Sequence, residues 1–323
     1  MTTINGLYRV ATAAIALLAA APAAHALDKI NVGKSVATSE IFATLEVGEE
    51  AGIWKQEGLE LKVLAFRGDA QLQQALTSNT IDFGLGSGPG MGFLAKGVPA
   101  IGVASFADAP LNMAVLVAPN IGIDKIADLK GKKIGVTTAG SLTYWLIKEL
   151  SRQEHWTGKD AVQPVPLGAM RTRLAAMKKG DIQGTVQTTV SGYELQDQGV
   201  AKVFLVFGDM VKDFHTHIMF ATKKIVAEHP DIVKRYLRAW FRTVALQKKD
   251  KALTVRVWAK VMQVKPSVVE KVYEKDMAMM SDDGHFNPKA IETIRRSLVE
   301  MKILPKEPDP KVMYTTEFVP VKF

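Results

Sequence analysis

From Lys29 onward, short apolar runs of β type alternate with segments whose apolar residues recur every three or four positions, and this alternation constrains the fold more than any other feature. A strand, a crossover helix and a second strand in one sheet run parallel, and such sheets need helices on both faces. The strand candidates are Ile30–Val32, Leu59–Ala65, Ile81–Leu85, Ala100–Ser105, Met113–Val117, Lys133–Val136, Gln163–Leu167, Gln183–Gln187 and Val203–Phe207. Helical segments separate most of them. In Ser39–Glu50 the residues Phe42, Leu45 and Val47 lie near helical spacing, and Asp69 caps a helix carrying Leu72, Ala75 and Leu76. Gly52 and Gly58 mark stops. The class is α/β with mostly parallel sheets.

The pattern changes after about residue 222. Pro230 stands where a helix begins, and Ile232, Val233, Tyr236, Leu237, Trp240, Phe241 and Val244 line one face of it. Pro266 opens a second helix carrying Val269, Val272, Tyr273 and Met280, and Asn287-Pro288 opens a third carrying Ile291, Ile294 and Leu298. The C-terminal third is therefore helical, and its aromatic residues belong to a core face. No internal repeat of about 20–50 residues is visible.

The 323 residues suffice for about two domains. The first 26 are expected to be an export signal: Met1–Arg9 with one basic residue, the apolar run Val10–Ala20, and a small-x-small cleavage site at Ala24-His25-Ala26. That run is shorter than the roughly 20 residues a bilayer span requires. The mature chain is expected to start at Leu27, free in a Gram-negative periplasm, with secretion into the medium as the alternative. The chain has no Cys, which excludes a lipid-attached N-terminal Cys, disulfides, thiolate metal sites and a Cys nucleophile. Net charge is +8, and loss of Arg9 leaves 40 basic against 33 acidic side chains. Nucleic acid is not an expected partner in that compartment, and the positive field favours anions at encounter.

Two turns could hold a small polar or anionic group. Gly84–Gly92 follows a strand and opens a helix, but its glycines fit neither G-x-G-x-x-G nor a P-loop, which leaves a tight turn with free backbone amides. In Lys132–Tyr144 a strand ends near Thr137, and Ser141 supplies the N-cap of a helix carrying Trp145, Leu146 and Leu150. That N-terminus suits a carboxylate, sulfonate, nitrate or phosphate, while Ser141 serves equally as a plain cap. No H-E-x-x-H or G-x-S-x-G motif occurs. His215 and His217 share one strand face but lack further ligands for a metal, and Asp282-Asp283-Gly284 reads as a polar turn. Neither a metal nor a cofactor is expected.

Three segments, Glu49–Leu59, Ala75–Gly84 and Ala95–Pro99, resemble the periplasmic solute-binding proteins of nitrate, sulfonate and taurine type ABC transporters. Asp128–Val136 and Glu228–Asp231 extend the likeness in the same order along most of the mature chain. The stretch Met177–Gly184 departs from the family's common Met-x-x-Gly-x-Ile-Asp-Ala form and so gives no guide to the ligand.

The resemblance implies a two-lobed periplasmic-binding-protein (type II) fold with the ligand between the lobes. Residues 27–111 plus 222–323 would form the first lobe. Residues 112–221 would form the second, including two crossing strands at Met113–Val117 and Ile218–Ala221. By matching position the first lobe contributes Thr38, Ser39, Phe66, Arg67, Ser87, Gly88 and Phe106 to the ligand site. The second contributes Ser141, Thr143, Gln187, Thr188 and Thr189, with His215 near the hinge. Arg67 would counter a ligand charge, and Ser87 and Ser141 would donate hydrogen bonds. The implied protein is a monomer that is not an enzyme. It closes on a small-molecule ligand and docks on an ABC permease, and through it serves a cytoplasmic ATPase. The alternatives are an enzyme on the same fold, related to thiamine pyrimidine-precursor synthesis and needing a Lys for pyridoxal phosphate, or a sensor partner that presents its ligand to a receptor.

Overall fold

A computed structural model describes residues 26–323, so the export signal expected over residues 1–26 lies, Ala26 apart, outside the described residues. Ten strands form two sheets of five. The first contains β1 (Asp28–Lys34), β2 (Leu59–Ala65), β3 (Phe83–Ser87), β4 (Ala100–Ala107) and β10 (His217–Thr222) in the order β2-β1-β3-β10-β4. The second contains β5 (Met113–Val117), β6 (Lys133–Val136), β7 (Gln163–Pro166), β8 (Gly184–Thr188) and β9 (Lys202–Val206) in the order β7-β6-β8-β5-β9. Pairing is parallel for β1 with β2 and β3, and for β6 with β7 and β8. It is antiparallel wherever β10 or β5 is involved. Each sheet therefore has one reversed strand.

The reversed strands are the crossing strands. β5 leaves the first lobe and inserts in the second sheet, and β10 returns from the second lobe and inserts between β3 and β4 of the first. A boundary at residue 221, which gives Ile218–Ala221 to the second lobe, is corrected by these bonds: Ile218, Met219, Phe220 and Ala221 pair with β3 and β4. Apolar sequence alone could not reveal this, because a strand buried on both faces fits either sheet equally well.

The C-terminal helices cover the first sheet. The Pro230–Lys249 helix lays Tyr236 against Phe83 and Trp54, with ring centroids 4.1 and 5.3 Å apart, and Trp240 edge-on to Phe106 at 4.9 Å. Burying each such ring contributes about 2–3 kcal/mol. The helix expected from Pro266 to Met280 is two, Pro266–Glu270 and Tyr273–Met279, with Met280 beyond the second. The lobes also touch away from the hinge, where Val190 packs on Met262, Val268 and Val272 and Lys271 pairs with Asp197 at 3.2 Å. Among the described residues no helix is long and apolar enough to cross a membrane.

Candidate functional site

A cavity of about 290 Å³ lies between the two lobes. The first lobe lines it with the segments following β1 (Ser35–Ser39) and β2 (Phe66–Asp69) and with Ser87 at the end of β3. The second adds Thr137 after β6, Gly168–Met170 and Arg173 after β7, and Val186–Thr188 of β8. These are the carboxyl ends of the parallel strands, where open α/β sheets leave a crevice. At one rim the lobes nearly touch: Gly68, at φ 132°, comes so close to Thr138 that a Cβ on it would lie 2.6 Å from the Thr138 Oγ1.

Eight of the residues expected from the sequence line this cavity: Thr38, Ser39, Phe66, Arg67, Ser87, Thr143, Gln187 and Thr188. Five do not. Gly88 faces the His215 carbonyl, and a Cβ there would come 2.7 Å from Ile294, so its lack of a side chain serves close packing. Phe106 lies within β4, two residues longer than the sequence suggests, and its ring is stacked on His217 at 5.5 Å inside the core. Ser141 is 1% exposed, accepts the Tyr144 N–H, and is hydrogen-bonded to the Thr137 and Thr143 hydroxyls at 2.8 and 3.1 Å. It is a helix cap. Thr189 is buried, its N–H donating to the Asn112 carbonyl at 2.7 Å. His215 is fully buried: its Nδ1 is 2.7 Å from the Ser105 Oγ and 3.0 Å from Asp108 Oδ1, and its Nε2 accepts the Asn287 N–H. Accepting at Nε2 fixes the proton on Nδ1, so the ring ties β4, β10 and the Pro288–Glu300 helix together. It precedes β10, so it does not share a strand face with His217.

Three charged or titratable residues of the cavity wall were not assigned to the ligand site from the sequence. Asp69 opens the Asp69–Thr77 helix and is buried, and its Oδ1 accepts the Ser87 N–H at 3.0 Å. Burial pushes its carboxyl up to about 6 against the pull of N–H groups from Ser87 and, across the cleft, Leu142. Arg173 is 4% exposed on the Met170–Lys179 helix. Its Nε donates to the Gly168 carbonyl at 3.1 Å, and its Nη1 to Thr185 Oγ1 at 3.0 Å and the Val186 carbonyl at 2.5 Å. Burial lowers its pKa to about 10, which leaves it cationic at neutral pH. His217 donates from Nδ1 to the Gly86 carbonyl at 3.2 Å, and burial holds its ring neutral down to about 4. The signal for Arg173 was the lone basic residue on an otherwise core-facing position of its helix. Asp69 was read only as a cap.

At the hinge, Asn112 Nδ2 donates to Glu40 Oε1 at 3.0 Å. Burial, partly offset by bonds from Asn112 and Thr188, pushes Glu40 up to about 7. Asp276 is likewise buried beside Glu40, and desolvation together with the Glu40 charge raises it well above the usual carboxylate range.

A family profile described as NMT1/THI5 like matches residues 40–251. A Bacillus subtilis (strain 168) protein named as an aliphatic sulfonates-binding protein is 26% identical over 264 residues, covering 80% of this chain and 77% of its own length. The 4-amino-5-hydroxymethyl-2-methylpyrimidine phosphate synthase of Legionella pneumophila is 22% identical over 295 residues, 88% of this chain and 90% of that protein. Among solved structures, the alkanesulfonate-binding protein SsuA from Xanthomonas axonopodis pv. citri, bound to MOPS, superposes with a TM-score of 0.75 at 17% identity, over 88% of this chain and 98% of that one. The two-lobed α/β fold expected from the sequence is the fold of that structure.

Proposed function

The chain belongs to the NMT1/THI5-like family, and from that premise we propose that it captures a small polar or anionic solute between its lobes in the periplasm and delivers it to an ABC-type importer. The observation that carries this reading is the cavity itself, walled by the strand ends of both sheets and closed by lobes that share strands β5 and β10. A solute bridging both walls contacts each lobe fully only when they are closed, so it stabilises the closed form, and that form docks on the permease. The Bacillus relative's name supports solute binding. The protein acts as an exported monomer without a resident cofactor. Added solute should raise the melting temperature as ln(1 + [L]/Kd). A broad panel of small anions and metabolites that leaves both melting and calorimetric titration unchanged would overturn it.

The Legionella relative favours a second reading, an enzyme on the same scaffold. A Schiff base with pyridoxal phosphate needs a lysine at the cavity wall, and among the described residues the lining includes none. That favours capture. Incubation with pyridoxal phosphate should leave the protein without the visible absorption of a Schiff base, and its appearance would favour the enzyme.

A further inference from the structure

We infer that the captured solute is an organic acid with an O–H or N–H donor at the end remote from its acid group, the acid resting on Arg173 of the second lobe and the donor on His217 of the first. The inference rests on the capture reading and goes beyond it in naming the ligand's chemistry and its orientation.

Arg173 has five N–H groups, three of which are held by Gly168, Thr185 and Val186. The Thr185 hydroxyl that receives one of them donates onward to the Gly135 carbonyl at 3.0 Å, so the guanidinium is fixed in place by the sheet. Its Nη2 has no protein acceptor and no carboxylate pairs with it among the described residues, although the side chain is almost wholly buried and lines the cavity. A cation desolvated to that degree is tolerated when an anion completes it, and a fixed fork suits a carboxylate or sulfonate. Gln187 on the same wall also has a buried Nε2 without a partner. The second lobe thus offers donors.

Arg67 of the first lobe also lines the cavity but is exposed, and the buried polar groups of that lobe's wall offer acceptors. The Gly86 carbonyl can only accept, so His217 Nδ1 carries its proton and the neutral ring leaves a bare Nε2. That nitrogen is buried and unpartnered on a residue lining the cavity. Asp69 stands on the same wall and disfavours a second acid group there. Between these buried groups, side chains of Phe42, Phe66, Met113, Leu142, Met170 and Val186 supply apolar surface, interspersed with the hydroxyls of Thr38, Ser39, Thr137 and Thr143. A space of about 290 Å³, at roughly 30 Å³ per water, far exceeds what an inorganic anion fills. Ends of opposite hydrogen-bonding sense and an apolar middle define an amphipathic monoacid.

Calorimetric titration of the whole protein at pH 7 tests this with single-ring probes: 4-hydroxybenzoate, 4-hydroxybenzenesulfonate, benzoate and 4-hydroxybenzamide. One or both hydroxy acids should bind. Replacing the acid by the amide should weaken binding at least about tenfold, and removing the hydroxyl should weaken it about two- to tenfold. Arg173→Lys, which keeps the charge but loses the fork, should weaken the acids and leave the amide unchanged, and the ligand-side comparisons stand even if that variant does not fold. An amide as tight as the acid, benzoate as tight as 4-hydroxybenzoate, or silence from all four probes overturns the inference. If neutral solutes such as pyrimidines then raise the melting temperature, capture survives without it. If no solute of any class does, both readings fall.

Discussion

The two lobes share one topology and invert its chemistry. Read across the sheets, β2-β1-β3-β10-β4 and β7-β6-β8-β5-β9 correspond position by position, each with its fourth strand taken from the other lobe's stretch of chain. In each, the helix following the edge strand sends a charged side chain toward the third strand. In the first lobe it is Asp69, which accepts the N–H of Ser87 at the end of β3. In the second it is Arg173, which donates to Thr185 and Val186 of β8. An acid that accepts an N–H at the end of β3 and a base that donates to a hydroxyl and a carbonyl within β8 satisfy the third strand of each sheet with opposite sign. The cleft between them is polarised as a result, with no sequence repeat to announce it.

Removing the base breaks this pairing most severely. Arg173→Met strips the donor from three acceptors at once, two of them buried, and should cost about 3 kcal/mol or more in urea unfolding. A loss below about 1 kcal/mol would mean that the guanidinium is not the second lobe's internal tie. Next comes the rim where the lobes meet. Gly68 has φ 132° and ψ 169°, a region essentially confined to glycine, and a Cβ there meets Thr138 of the other lobe. Gly68→Ala should cost about 1–3 kcal/mol and hold the lobes apart. Small-angle scattering in the presence of ligand would then show a larger radius of gyration than for the unchanged protein, and equal radii would show that the rim yields.

The hinge carboxyl gives the comparison a pH dependence. Unfolded, Glu40 loses its proton near 4.5, whereas folded it keeps it until about 7. Between those values the native state binds the extra proton, so the wild type loses stability as pH rises through the window. Glu40→Gln removes this dependence, together with the part of the Asp276 shift that the Glu40 charge causes, and retains an oxygen for Asn112. Its stability relative to wild type should therefore climb by up to about 3 kcal/mol from pH 4.5 to 7 and stay level above it. His217 runs the other way, since its neutral folded ring loses stability as pH falls from 6.5 toward 4, but that contribution is common to both chains and cancels in the difference. A flat difference would show that Glu40 is ionised as usual despite its burial.

What the sequence disclosed follows the same division. Periodicity located nine of the ten strands to within a few residues and the Pro230–Lys249 and Pro288–Glu300 helices, because each writes its burial into a repeating pattern, but it did not mark the Lys251–Met262 helix. Turn positions were legible too: Thr38, Ser39, Phe66 and Arg67 follow strand ends, Ser87 closes β3, and all five line the cavity. The fourth-strand exchange was not, since β10 is buried throughout and its composition names no partner sheet. Arg173 was missed because a basic residue on a helix is ordinarily solvated, and only the approach of β8 makes this one internal. Phe106 failed for a smaller reason: two further residues of strand carried it from a turn into the core.

Ser141 provides the mildest test and separates a cap from a ligand contact. The helix N-terminus at Leu142 is a competent anion seat, yet the Leu142 N–H lies near enough to the Asp69 carboxyl of the other lobe to pull its pKa down, so a protein acid already stands beside the place where a ligand's acid was expected. The Ser141 hydroxyl is spent on Tyr144, Thr137 and Thr143 within its own turn. Ser141→Ala should cost about 1 kcal/mol of stability, the usual value for a lost cap, with ligand affinity unchanged once the protein is folded. A drop in affinity larger than that stability loss would return the anion seat to the helix end and weaken the case for Arg173. An unchanged affinity leaves Asp69 as what fills that seat, and explains why the two lobes, built alike, meet a ligand with unlike ends.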